Sequence, residues 1–153
     1  MKILSFFNAL FYALIAGQGF YMLLGGSRAL RQLSIGTFIE QRQSVDKAIS
    51  RNLSIAYLFT LVYSASYIVV LVLYETPQPQ LAAAILAFLL LTADLAIAVR
   101  GNLPINKEIN SWQEHAHPMD WTTYRDLWIR YMTWRNWLAV SALVVFLFSL
   151  IQL

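Results

Sequence analysis

Cysteine is absent from the 153 residues, and only two histidines and four prolines occur. Without thiols there is no disulfide framework, no thiolate metal site and no cysteine nucleophile. Charge is scarce as well: 12% of the residues are Asp, Glu, Lys or Arg, about half the roughly 25% of an ordinary soluble domain. A soluble fold of this length needs charged side chains over most of its exterior. The composition therefore excludes a soluble globular enzyme, a nucleic-acid-binding domain and a disordered tail. What is abundant is apolar, with 59% hydrophobic and 14% aromatic residues. The length allows one domain, and the class is an integral membrane protein whose first partner is the lipid bilayer.

A spanning helix needs about 20 mostly apolar residues. Four segments qualify, at about residues 3–24, 53–74, 81–99 and 134–153. They are continuous apolar runs and not the alternating pattern of barrel strands, so helices are the spanning form. The first run follows Lys2 and is too long for the apolar stretch of a signal peptide, so it reads as a true span. Arg28, Arg31, Arg42, Lys47 and Arg51 lie between spans one and two. Arg100, Lys107, Arg125 and Arg130 lie between spans three and four, with Arg135 just inside the fourth. The connection from Glu75 to Gln80 has no basic residue, and only Lys2 shares its side. The positive-inside rule puts both long connections in the cytoplasm and both termini outside, an arrangement expected for a bacterial inner membrane.

The long connections have helical signals. Thr37 and Glu40 have capping-box spacing, and neither proline nor glycine follows until Pro77. One helix of nearly forty residues is expected, with Phe38, Val45, Ile49 and Leu53 on one face and Arg42, Asp46 and Lys47 mostly off it. Pro104 suits the first turn of a short helix over about residues 105–115. Asp120 suits the N-cap of a last helix beginning at Trp121. The expected architecture is thus an all-α membrane four-helix bundle, its second and fourth helices extending into the cytoplasm and a short helix capping them. Trp134 and Trp137 read as interfacial belt residues.

Several polar residues fall inside these spans. Asp94 is an acid about six residues from the end of the third, and an ionised carboxylate there needs a partner or water. Arg135 is the nearest expected partner and Arg100 an alternative; a protonated, hydrogen-bonded Asp94 is a third reading. Tyr57, Thr60, Ser64 and Tyr67 share one face of the second span, spacing that suits interhelical hydrogen bonds or a channel lining. Asn8 and Gln18 add polar groups to the first span, and Ala13, Gly17 and Gly19 give it small residues for close helix approach. His115 and His117 read as solvated loop histidines, because two residues apart they share a face poorly and no third ligand is near. No metal and no cofactor are expected: no histidine lies within a span, and neither a glycine-rich phosphate loop nor a nucleophilic triad spacing occurs.

The run Arg100, Gly101, Asn102, Leu103, Pro104, Ile105 and Asn106, followed by Trp112, Trp128 and Arg135, resembles the small four-span membrane proteins of the anthrone-oxygenase-like family. The family pattern is Asn-x-Pro-x-Asn after the third span, a tryptophan soon after, then Trp-x-x-x-His-x-x-Arg leading into the fourth. The specific motif covers residues 100–135, and the four-span layout agrees over essentially the whole chain. The resemblance implies cofactor-free oxidation of anthrones, in which a base forms an electron-rich carbanion that meets oxygen. This chain departs at Met132, where histidine is frequent, and so lacks the natural neutral-pH base there.

On the residues themselves, Asn102 and Asn106 suit caps at the turn after the third span. Trp128 and Arg135, seven apart, share a helix face that would meet that turn close to Asp94. Such a group suits a flat, polar-edged aromatic molecule, or equally a structural keystone. The expected enzyme roles are Asp94 or a substrate group as base and Arg135 as oxyanion stabiliser. Trp128 and Tyr131 would stack on the rings, and Asn102, Asn106 and Trp112 would complete the binding site. The alternatives are a non-catalytic scaffold, either a homo-oligomer or an accessory subunit of another membrane protein, and, less favoured, a small transporter.

Overall fold

The computed structural model describes residues 2–151 and contains six α-helices. The first, α1 (Lys2–Tyr21), passes through a π-type turn at Met22–Gly26 into the short α2 (Ser27–Arg31). Helix α3 (Ile35–Leu73) is 39 residues long. Helix α4 (Gln78–Ile97) runs through a second π turn, Ala98–Asn102, into α5 (Leu103–Asn110), and α6 (Trp121–Ile151) follows. Residues 152 and 153 of the expected fourth span lie outside the described residues. Among the described residues no strand forms, only an isolated bridge between Gln113 and Ala116.

Four helical stretches, Lys2–Arg31 with a kink at Gly25, Ile35–Leu73, Gln78–Asn110 and Trp121–Leu150, are long and apolar enough to cross a membrane. At 1.5 Å per residue α3 is roughly 58 Å long, far more than the roughly 30 Å of a bilayer's hydrocarbon core. The main packing pairs are α4 with α6, α1 with α6, α3 with α4 and α1 with α3. The helices thus close a ring in the order α1, α6, α4, α3. Their outward faces carry exposed Phe6, Leu58, Val69, Leu89 and Phe148, the side chains a lipid-facing surface requires. Trp134 and Trp137 are exposed at the start of the fourth span, where indoles suit headgroup level.

Four local features differ from the sequence reading. The long helix begins at Ile35 with Ser34 at its N-cap, and Thr37 lies inside its first turn, its hydroxyl 3.0 Å from that of Ser34. The expected capping box does not form. The short helix is not separate: α5 continues α4 through the π turn and ends at Asn110, so the third helix extends beyond the lipid as the second and fourth do. Pro104 fits because it falls in the first turn of α5, where its missing N–H costs nothing. Of the small residues on α1, Ala13 and Gly17 are exposed. Gly19 alone marks close approach, since a Cβ there would lie 3.3 Å from the backbone of Asn136 on α6.

The core has two parts. In the half away from the basic residues, Tyr12, Tyr67, Leu71, Leu91 and Phe146 pack together, with Tyr12 stacked on Phe146 at 5.1 Å and Tyr67 edge-on to it at 5.6 Å. Neutral hydrogen bonds tie α1 to α3 there: Ser64 donates to Asn8 at 2.8 Å, and the Ser5 and Tyr67 hydroxyls meet at 3.0 Å. Tyr57, Thr60, Ser64 and Tyr67 are all buried, so the polar face of α3 points into the bundle. In the basic half, Phe38, Ile39, Ile105, Ile109, Trp112 and Trp128 form a second cluster beneath the protruding helix ends.

Candidate ligand cavity

Where the two clusters meet, Asp94 is fully buried and takes two short hydrogen bonds. Arg135 Nε donates to its Oδ1 at 2.7 Å and the Tyr57 hydroxyl to its Oδ2 at 2.5 Å. Arg135 Nη2 reaches the Tyr57 oxygen at 3.1 Å, closing a three-membered cluster from α3, α4 and α6. Arg135 Nη1 donates to Asn102 Oδ1 and to the Met132 sulfur, each at 3.4 Å. Arg135 is therefore the partner of Asp94, while Arg100 is exposed. A carboxylate with both oxygens engaged and a guanidinium with all three nitrogens engaged is the arrangement that makes a buried ion pair tolerable.

A second network lies two turns closer to the basic end. Asn106 is its hub: its Oδ1 accepts from Trp128 Nε1 at 2.8 Å and from Arg42 Nη2 at 3.2 Å, and its Nδ2 donates to Asp46 Oδ1 at 3.0 Å. Asn110 Nδ2 donates to the other Asp46 oxygen at 2.8 Å. The Arg42 guanidinium lies 4.0 Å from the Trp128 ring centroid, a cation–π contact worth roughly 2 kcal/mol when desolvated. Burial pulls the Arg42 pKa down to about 10, with the nearby Asp46 charge pulling the other way, so Arg42 stays cationic at neutral pH. Gln43 ties α3 to the end of α5 by donating to the Ile109 and Trp112 carbonyls at 3.1 and 3.0 Å.

Between the networks is a cavity of about 480 Å³, walled by the π turn after α1, by α2, α3, the α4–α5 junction and α6. That volume is within the range of small-molecule sites. Its polar wall includes Tyr57, Arg135, Asn102, Asn106, Arg42 and Trp128, and its remaining lining is mainly aliphatic, with Leu30, Val45, Leu53 and Leu95 among it.

The residues singled out from the sequence divide between wall and support. Arg135, Asn102, Asn106 and Trp128 line the cavity, and so does Met132. Asp94 does not; it sits behind Tyr57 and Arg135. Trp112 is buried off the wall, edge-on to Tyr124 at 5.3 Å. Tyr131 also lies off it, its ring against Gly101, where a Cβ would come within 2.7 Å of the ring. The expected capping by Asn102 and Asn106 does not occur: Asn102 instead donates to the Trp128 carbonyl at 3.1 Å, and Asn106 serves the network above.

Tyr57 and Arg42 are the principal polar wall residues missed as site residues, and Gln41 and Asp46 were missed with them. Tyr57 was legible as part of a polar helix face. Arg42 follows Phe38 by four and precedes Val45 by three, so it belongs on the inward face, and it is only 6% exposed. Among the described residues no three His, Asp or Glu side chains converge to hold a metal ion. Comparison with family models, with curated proteins and with solved structures gave no match.

Proposed function

We propose that this membrane protein binds a lipophilic aromatic molecule with an oxygen-bearing edge, seated in the cavity with that edge toward Arg135 and Tyr57. The observation that carries this reading is the pairing of a guanidinium and a phenol on the wall of a mainly aliphatic cavity. The Asp94 carboxylate holds Arg135 from behind; Asp94, Asn102, Met132 and Tyr57 take four of the five guanidinium N–H groups, and the second N–H of Nη2 is left for the ligand's oxygen. Under the positive-inside rule the cavity lies at the cytoplasmic end of a bundle in a bacterial inner membrane. The test is equilibrium binding of 1,8-dihydroxyanthraquinone to the protein in lipid nanodiscs, followed by the probe's visible absorbance. Saturable binding at one site, weakened about tenfold by Arg135→Lys, supports it, because lysine keeps the charge but loses the planar fork. Uptake no different from that of empty nanodiscs overturns it.

The 2.5 Å bond from Tyr57 to Asp94 favours a catalytic version of the same reading. A proton leaving an acidic position of the ligand passes to the Tyr57 oxygen while the phenolic proton moves to Asp94, and Arg135 stabilises the resulting ligand anion. An anthrone-like anion then reacts with oxygen, and its methylene becomes a carbonyl with release of water. Asp94 acts in this scheme only through Tyr57, since it is not on the wall. Oxygen uptake with 1,8-dihydroxyanthrone that is lost in Tyr57→Phe, while the anthraquinone still binds through Arg135 with reduced affinity, is the expected result. Unchanged uptake in Tyr57→Phe removes the catalytic version and leaves the binding site standing.

A further inference from the structure

Arg135 touches a carboxylate within the bundle, but Arg42, the other guanidinium on the cavity wall, does not: Asp46 is near enough to act on its charge and is joined to it only through the Asn106 amide. Among the described residues no acid lies within ion-pair distance of Arg42; the three ion pairs found involve Arg31, Arg125 and Arg135. Asp46 is the one acid lining the cavity, and its two oxygens already accept from the Asn106 and Asn110 amides. Arg42 Nε is buried without a hydrogen-bond partner, an omission that is costly for a charged donor out of water. One face of its guanidinium is covered by the Trp128 ring, so that ring is already taken and is not free to stack on a ligand from that side. The side chain is fixed, cationic, largely dry and short of acceptors.

Resting on the cavity as the ligand site, we propose that Arg42 is a second recognition point, which takes an ionised oxyanion, a carboxylate or phosphate, on the outer end of the ligand. Arg42 lies at the level of Trp128, and Trp128 precedes Arg135 by seven residues, two helical turns or roughly 10 Å of rise. The ligand is therefore elongated and amphipathic. Its neutral oxygenated edge meets Arg135 and Tyr57, an apolar body spans the aliphatic wall, and the ionised group meets Arg42. A linear three-ring aromatic acid has this length. Gln41 also lines the outer level, with its amide oxygen buried and unpartnered. A half-turn of that amide, whose two ends are nearly isosteric, adds a second donor to the same group.

The test compares 1,8-dihydroxyanthraquinone with its 3-carboxylate at neutral pH, in nanodiscs of zwitterionic phosphatidylcholine and with partitioning into empty discs subtracted. The carboxylate is expected to bind the unaltered protein at least tenfold more tightly than the neutral parent. Arg42→Gln should bring the two probes to parity, whatever the parent's own affinity becomes, and Arg42→Lys should keep part of the advantage. Equal affinity in the unaltered protein overturns the assignment without any variant having to fold, and so does an advantage that survives in Arg42→Gln. If neither probe binds, the cavity reading falls with it; if only the advantage is missing, the cavity reading stands and Arg42 alone is removed. Repeating the pair in anionic phosphatidylglycerol discs identifies the source of the oxyanion. Loss of the advantage there means that lipid phosphate occupies Arg42, and its persistence means that the site prefers the aromatic acid.

Discussion

At the basic end of the bundle, Asp94, Arg135 and Tyr57 bring three helices to one point through charged hydrogen bonds, and an open cavity lies beside them. At the other end, Ser5, Asn8, Ser64 and Tyr67 join α1 to α3 through neutral bonds, packed around Phe146. Both clusters are buried, and the side chains named in each find hydrogen-bond partners, as polar groups within a membrane bundle require. They differ in what a missing partner leaves behind. An unpaired hydroxyl in the neutral half costs little, because hydrogen bonds between membrane helices are worth about 0.6 kcal/mol on average. An unpaired guanidinium in the charged half is an isolated ion in a low-dielectric site. The charged end is thus the half where sequence and geometry are coupled most tightly, and it is also the half with room for a ligand.

The largest expected effect breaks that coupling directly. Asp94→Leu leaves Arg135 buried with no carboxylate and should destabilise the protein by about 3–5 kcal/mol, read as a shifted midpoint in SDS-driven unfolding of the detergent-solubilised bundle. The double variant Asp94→Leu with Arg135→Met should recover most of the loss, because both charges leave together. A double variant as unstable as the single one would show that packing around Leu91 and Leu95, and not the charge, sets the cost. The double variant also separates structure from binding, since it should fold and still fail to bind 1,8-dihydroxyanthraquinone.

A smaller effect is expected from geometry in the same half. Gly101 is buried against Tyr131, and an added Cβ would lie 2.7–2.8 Å from three atoms of the ring. The nearest of these is Cγ, the ring's attachment point and not its free end, so the whole side chain must move. Gly101→Ala should cost about 1–3 kcal/mol, the range for overpacking a filled site. Because Tyr131 and Arg135 occupy successive turns of α6, the same substitution should also weaken probe binding. Reduced stability with unchanged binding would separate the Tyr131 contact from the cavity.

The sequence made the four spans legible because apolar runs of this length have few other uses, and Asp94 stood out because acids in such runs are rare. Helix α6 was legible down to its first residue, Trp121, because Pro118 breaks the chain just before it. The junction after the third span was not. Proline and asparagines usually signal a break, yet Pro104 falls where a helix needs no N–H, and a π turn carries the chain on. Arg42 is expected mostly off the apolar face, although it follows Phe38 by four and precedes Val45 by three, a spacing that puts it inward. What holds it there, the indole of Trp128 and the amide of Asn106, comes from more than 60 residues away and is not visible in the spacing. Trp112 was drawn toward the site by a motif and Tyr131 by its place alongside the Trp128–Arg135 helix face, and neither signal distinguishes a residue on the wall from one behind it.

Ser64→Ala tests the quiet end of the comparison. It removes the donor to Asn8 Oδ1 and leaves that oxygen buried near the middle of the bundle. In a soluble core such an orphan would cost about 1–3 kcal/mol. Here the unfolded reference is still a set of helices in lipid or detergent that finds partners of its own, so the expected loss is only about 0.5–1 kcal/mol. Probe binding should not change, because Asn8 and Ser64 lie away from the cavity wall. A loss of several kcal/mol in the SDS titration would mean that the neutral half is as exacting as the charged one, and that one cooperative polar file runs the length of the bundle. A small loss with binding intact would leave the charged end as the part of the molecule in which structure and function share the same residues.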